Sequence, residues 1–189
     1  MELISEVLKQ ITSVLESLAI PYAIGGSIAS GSRGIWRTTM DIDIVAYVRP
    51  SQIDALAAAL GPDWYVDADM IRSAIAAGRS FNLIQRRFAY KVDIFPPTTE
   101  FHHRQLERAT PFPVGPDAVL CSVATAEDIL LAKLRWYLDG GEVSDRQWTD
   151  ICGIIATNPP LDLAYLQLWA ARLGVTRLLE KAQADVRAG

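Results

Sequence analysis

Asp41-Ile42-Asp43-Ile44-Val45-Ala46-Tyr47-Val48 is a β-branched run closed by Pro50, and it reads as a central strand. Side chains two apart on a strand leave on the same face, so Asp41 and Asp43 project together, roughly 6 to 7 Å apart along the chain. Their neighbours Ile42, Ile44 and Val45 are apolar, and two like charges in such a setting are costly unless a cation neutralises them. A hard divalent ion such as Mg²⁺ suits the pair, because it takes oxygen ligands and keeps open positions for phosphate oxygens.

Downstream, 81–85 and 87–95 read as the strands of a hairpin stopped by Pro96-Pro97. The second strand holds a third acid, Asp93, in Tyr90-Lys91-Val92-Asp93-Ile94-Phe95. Taken singly, Asp93 reads equally well as a strand-end or solvent-facing residue. Taken with Asp41 and Asp43 it makes a metal site for one or two Mg²⁺ ions, the latter about 3.5 to 4 Å apart. Upstream, Tyr22–Ile24 reads as a short strand, followed by Gly25-Gly26-Ser27 and a small-residue stretch that runs on as a short helix. Backbone N–H groups of the two glycines, free of side-chain bulk, can approach a phosphate, and the Ser27 hydroxyl can donate to it.

The stretch GGSIASGSRGIWRTTMDIDIV (25–45), with the later KVDIF (91–95), resembles the signature of the polymerase-β-like nucleotidyltransferase superfamily. The resemblance implies a nucleotidyltransferase-type mixed β-sheet core flanked by helices. It implies binding of a nucleoside triphosphate and attack of an acceptor on the α-phosphorus, with release of pyrophosphate. Gly25, Gly26 and Ser27 would then hold the triphosphate, Asp41 and Asp43 the metal, and Asp93 a metal and the incoming nucleophile. The intervening loop, 31–40, carries Arg33, Arg37, Thr38 and Thr39.

The rest of the chain supplies the frame. Leu3, Ile4, Val7, Leu8, Ile11, Val14, Leu15 and Leu18 recur at helical spacing over 2–19. Further helices are predicted at 51–60 and 68–77, with a short strand at 64–66 and one or two strands within 114–122. From Thr125 onward the periodicity is helical, at 125–139, 144–157, 162–173 and 175–187, with breaks at Gly140-Gly141 and Asn158-Pro159-Pro160. The expected fold is therefore α+β: a sheet-containing core at 1–122, and a helical subdomain at 123–189 packed on it.

On the helix at 125–139, capped by Thr125, Asp128, Arg135 and Asp139 fall opposite a broad apolar arc. Lys133 lies inside that arc, so its ammonium either snorkels out or meets an anion such as a phosphate. Asp150, four residues after Arg146, falls on a polar face of a helix capped by Ser144 and reads as half of a surface pair. ATAEDILLAKLRWY (124–137) followed by SDRQWTDI (144–151) is similar to the C-terminal half of the AbiEii-like toxin nucleotidyltransferases of abortive-infection and toxin–antitoxin systems. That likeness implies that Lys133 contacts nucleotide phosphate, that Asp150 completes the catalytic set, and that a cognate antitoxin is a partner.

Composition bounds these readings. Half of the 189 residues are hydrophobic and 21% are charged, which excludes disordered and low-complexity classes. A net charge of −4 excludes a protein that coats nucleic acid with its whole surface. Seven basic residues against three acids within 72–108 nevertheless make a local positive run that could receive a polyanionic acceptor such as a tRNA end. His102-His103 lacks further ligands for a metal. Cys121 and Cys152 stand apart and read as small core residues, without a disulfide framework or a zinc signature. No secretory signal or membrane span is expected, which points to the cytoplasm. Two other readings stay open: a small-molecule acceptor of the antibiotic-modifying kind, and a non-catalytic nucleotide- or partner-binding module.

Overall fold

In the computed structural model, which describes residues 2–32, 41–115, 117–158 and 160–188, the first apolar stripe folds as α1 (Glu2–Ser17), burying Val7, Leu8, Ile11 and Leu15 completely. Burial of such a side chain contributes about 1.5–3 kcal/mol. The chain then forms β1 (Tyr22–Ile24), α2 (Gly26–Ser32), β2 (Asp41–Ala46), a 3-10 turn at Pro50–Gln52, α3 (Ile53–Leu60), β3 (Trp64–Tyr65), α4 (Ala68–Ala76), β4 (Phe81–Gln85) and β5 (Tyr90–Phe95). α5 (Glu100–Arg108), β6 (Thr110–Val114) and β7 (Val119–Val123) follow. Arg33, Arg37, Thr38, Thr39 and Pro159 lie outside the described residues.

Among the described residues seven strands make one mixed sheet in the order β3-β4-β5-β2-β1-β7-β6. β1 runs antiparallel to β2 and parallel to β7, while β2 runs parallel to β5. β4–β5 and β6–β7 are antiparallel hairpins. Strand alternation sets Ile42 and Ile44 of β2 beside Val92 and Ile94 of β5 on one buried face. The opposite face of these two strands carries Asp41, Asp43, Lys91 and Asp93.

Two elements depart from the sequence pattern. β6 contains Pro111 and Pro113, which argue against a strand, yet it lies at the sheet's edge, where its outward backbone positions need no donor. α5 buries little beyond Phe101 and Gln105, too few apolar positions to show a periodicity. It is held at its start by Thr99, whose hydroxyl accepts from the His102 amide. His102 Nδ1 accepts from the Thr98 amide at 3.3 Å, and burial, with His103 beside it, lowers its pKa. His102 Nδ1 thus serves this helix end.

By internal contacts the chain divides into two units. The sheet with α1 and α3–α5 belongs to the first. The second takes the end of α2 and α6 (Ala126–Asp139), α7 (Asp145–Thr157), α8 (Leu163–Leu173) and α9 (Thr176–Ala188). Leu130, Leu131, Leu134, Ile151, Ile154, Leu166 and Ala182 form its buried core. Asp128, placed by periodicity on the outer face of α6, is fully buried instead: Tyr165 donates to Oδ1 at 2.5 Å and Thr125 to Oδ2 at 2.9 Å. Trp136, inside the apolar arc, is by contrast exposed. Among the described residues no helix is long and apolar enough to cross a membrane.

Burial also fixes a pH dependence. It pushes the Cys121 thiol up to about 11 from its usual 9.0. The Tyr22 hydroxyl, which donates to Glu16 at 2.7 Å, is raised as well, chiefly by burial. Both groups keep their proton in the folded chain at pH values where the unfolded chain has lost it. The Cys121 contribution is complete below pH 9 and is lost as the pH rises towards 11, while that of Tyr22 begins to fall only above its ordinary value of 10.0. Urea midpoints are expected to be level from pH 7 to 8.5 and to fall by pH 10.5. A midpoint that holds at pH 10.5 would mean that the two groups titrate alike in folded and unfolded chains.

Candidate active site

Parallel pairing of β2 with β5 places Asp43 opposite Asp93 and Asp41 opposite Lys91. The sequence separates Asp43 from Asp93 by half a hundred residues, but the register makes them immediate neighbours on one face. On the far side of β5, Asn82 of β4 stands opposite Asp93. Beyond β2 the Gly25 amide donates to the Asp43 carbonyl at 2.9 Å. One row across three strands and the residue that follows β1 therefore reads Asn82, Asp93, Asp43, Gly25.

The glycine turn is shaped around Asp43. Gly26 has φ +57°, a left-handed conformation that glycine adopts without steric cost. A Cβ at this position would stand 1.8 Å from Asp43 Oδ2 and 2.5 Å from its Cγ. The start of α2 thus lies directly on the carboxylate, and only glycine leaves room for both.

Lys91 completes this face. Its Nζ lies 2.8 Å from Asp93 Oδ2 and 3.6 Å from Asp41 Oδ1, and the hydrogen bond to Asp93 raises its pKa. Its side chain is 43% exposed, against 21% for Asp93. The donor set suits a hard divalent ion in kind, since Asp41, Asp43 and Asp93 offer carboxylate oxygens alone on one face. What they have not done is converge: among the described residues no three carboxylate, imidazole or thiol groups form a metal-holding cluster.

In the second unit Lys133 has met an anion. Its Nζ lies 2.9 Å from Asp150 Oδ2, and the two side chains are 11% and 8% exposed. The ammonium does not snorkel to solvent. Asp150, read from periodicity as a polar-face residue paired along its own helix, is instead turned into the helical layer towards Lys133, where an unpaired lysine would be costly. α6 and α7 are joined at this point by a charge pair as well as by apolar packing.

The basic run is partly neutralised. Arg72 pairs with Asp54 and Asp69, Arg104 with Glu107, and Lys91 with Asp93. Arg86 and Arg87 stand exposed in the turn between β4 and β5. Arg86 lies over the Tyr65 ring at 5.8 Å, and Arg87 over that of Phe88 at 5.1 Å. This turn leads into β5, of which Lys91 is the second residue and Asp93 the fourth.

No protein-family model matches the sequence, and no curated protein matches it significantly. Solved structures do. The antibiotic-resistance factor ANT(2'')-Ia in solution is 17% identical over 97% of this chain and 90% of its own, with a TM-score of 0.44. The crystal structure of ANT(2'')-Ia in complex with adenylyl-2''-tobramycin is 16% identical over 97% of this chain and 96% of its own, again at 0.44. An antigenic nucleotidyltransferase-like protein from Paracoccidioides brasiliensis is 21% identical over 92% of both chains, with a TM-score of 0.49. At such identities the chain's own side chains have to carry the chemistry.

Two residues of this face escape a search for acids and glycines. Lys91 counts, in the sequence, as one cation of a diffuse basic run. Its two-residue spacing from Asp93 already places the two side chains on one face. Asn82 gives no signal of its own until the hairpin register is known.

Proposed function

We propose that the chain is a nucleotidyltransferase, which binds a nucleoside triphosphate with Mg²⁺ and directs an acceptor hydroxyl onto the α-phosphorus, releasing pyrophosphate. The observation that supports this reading is the parallel register that sets Asp43 beside Asp93, with Gly26 pressed so closely on Asp43 that no side chain is admitted. Asp41, Asp43 and Asp93 would hold the cation, which when bound offsets the negative charge of the triphosphate and makes the phosphorus more electrophilic. The Gly25 amide is spent on the Asp43 carbonyl, so Gly25 shapes the turn while the Gly26 backbone and the Ser27 hydroxyl would meet phosphate at the start of α2. Asp93 accepts a hydrogen bond from the incoming hydroxyl and so orients it for in-line attack. The likeness of 124–151 implies a nucleotide-phosphate contact for Lys133, with Asp150 fixing its ammonium. A toxin-type role with a protein antitoxin belongs to the same proposal and rests on the likeness of 124–151 to that branch.

The acceptor favoured is an RNA end such as that of tRNA. Exposed arginines beside aromatic rings in the β4–β5 turn offer charge for a backbone and flat surfaces for unpaired bases. The test supplies each α-³²P nucleoside triphosphate with Mg²⁺ to total RNA, purified tRNA, protein, and a panel of small hydroxyl compounds. The Asp43→Asn and Asp93→Asn variants run beside the wild type. RNA labelled by the wild type and left unlabelled by both variants is the expected result. Label confined to a small compound would replace the acceptor while keeping the chemistry. Nucleotide binding with no transfer to any pool would leave a binding module in place of an enzyme.

A further inference from the structure

We infer that Lys91 is a resident counter-ion of the carboxylate face: its ammonium occupies the place between Asp93 and Asp41 that a divalent cation needs, so that metal loading requires the lysine to let go. The inference rests on the metal reading above and adds to it a residue that sets how tightly the metal binds.

Four observations carry it. Lys91 is the β5 residue directly opposite Asp41 and two before Asp93, so backbone register alone delivers its side chain to the carboxylate face. Its Nζ contacts two of the three acids, at 2.8 and 3.6 Å. Among the described residues the acids have not gathered into a metal-ligand set of three. The side chain is 43% exposed, so it can swing into solvent without disturbing the sheet, whereas the Asp43 side chain is wedged under Gly26.

Two consequences follow from charge alone. Without metal, the lysine lowers the repulsion among three acids on adjacent strands. With metal, it becomes a like charge beside a divalent ion, and removing it should tighten binding. Lys91 is a positioning residue in this account: it acts on the acids and touches no reacting atom.

The experiment titrates Mn²⁺ into the full chain at pH 7.5, following free Mn²⁺ by its electron paramagnetic resonance signal, and records melting temperatures with EDTA and with excess Mg²⁺. The chains compared are wild type, Lys91→Met, Lys91→Arg, and Asp43→Asn. Lys91→Met is expected to bind Mn²⁺ about tenfold more tightly than wild type, and Lys91→Arg, which keeps the charge, about as tightly as wild type. Lys91→Met should also melt below wild type in EDTA, with Mg²⁺ removing most of the difference. Binding by Lys91→Met that equals or falls below wild type, with Asp43→Asn impaired, overturns the inference and leaves the metal reading standing. If wild type, Lys91→Met and Asp43→Asn all bind Mn²⁺ equally weakly, the metal reading falls, and the inference with it. An unfolded Lys91→Met would show no recovery with Mg²⁺, and the Lys91→Arg comparison together with Lys91→Gln would then decide the matter.

Discussion

Alanine at position 26 is expected to lower nucleotidyl transfer by about 100-fold or more while the chain stays folded, because misplacing a reacting group by about 1 Å is enough to cost that much. Two effects coincide at this residue. The backbone sits at φ +57°, where a side chain costs about 1–2 kcal/mol. The new Cβ would also fall 1.8 Å from Asp43 Oδ2, so either the carboxylate rotates off the face or the start of α2 lifts. Both movements separate the acid from the glycine turn that it serves. Gly174 separates the two effects. It is left-handed, at φ +71° and ψ 26°, but has nothing within 4 Å of its Cβ position. Gly174→Ala should therefore melt a few degrees lower, at about 2–4 °C per kcal/mol, and transfer nucleotide normally. Melting temperatures and kcat/KM on both variants make the comparison. Wild-type kcat/KM in Gly26→Ala would sink the claim that close packing of Gly26 on Asp43 matters to the reaction.

A second large effect is expected at the buried charge pair. Lys133→Met leaves Asp150, 8% exposed, without the ammonium that faces it, and breaking a buried pair in this way typically costs about 3–5 kcal/mol. For a chain of this size that is a fall on the order of 10 °C. Removing both charges, in Lys133→Met with Asp150→Leu, should recover most of the loss, since a buried pair is often replaceable by apolar side chains. Stability and activity then part company. If Lys133 is a phosphate contact, the double variant regains its melting temperature but not its affinity for nucleoside triphosphate. A double variant that recovers both would reduce the pair to packing. One that recovers neither would mean that the site tolerates no apolar replacement.

The local features of the candidate site were legible in the sequence. Two-residue alternation put Asp41 and Asp43 on one face, and the glycine pair between a strand and a short helix marked the turn beside them. What alternation does not contain is register between strands distant in the chain. That Asp43 pairs with Asp93 and Asp41 with Lys91 follows from how β5 slides along β2. The slide matches Ile42 and Ile44 with Val92 and Ile94 on the buried face. Asp150 was misread for a related reason. A helical wheel separates polar from apolar arcs, but a layer of helices has more than one covered side, and Asp150 turns to Lys133 on a second one. β6 and α5 were hidden by composition: two prolines tolerated only because the strand is an edge, and a helix held by its cap and by little apolar surface.

The pairing of β2 with β5 has a consequence for how the molecule comes to be active. β4 and β5 are neighbours in the chain and join through a four-residue turn, so Asp93 and Lys91 can be in place as soon as that hairpin closes. β2 and β5 are parallel and therefore need a crossover, which runs here through α3, β3, α4 and β4. Closing it is among the slower contacts the chain has to make, because the entropy of a long loop is lost before the pairing returns anything. Asp43 and Asp93 meet only when that closure is complete. A partly folded chain thus holds its acids apart. On the proposed function, the capacity to bind a metal or a triphosphate would be a late-appearing property, and its onset during refolding would time the moment at which the central pair of the sheet is sealed.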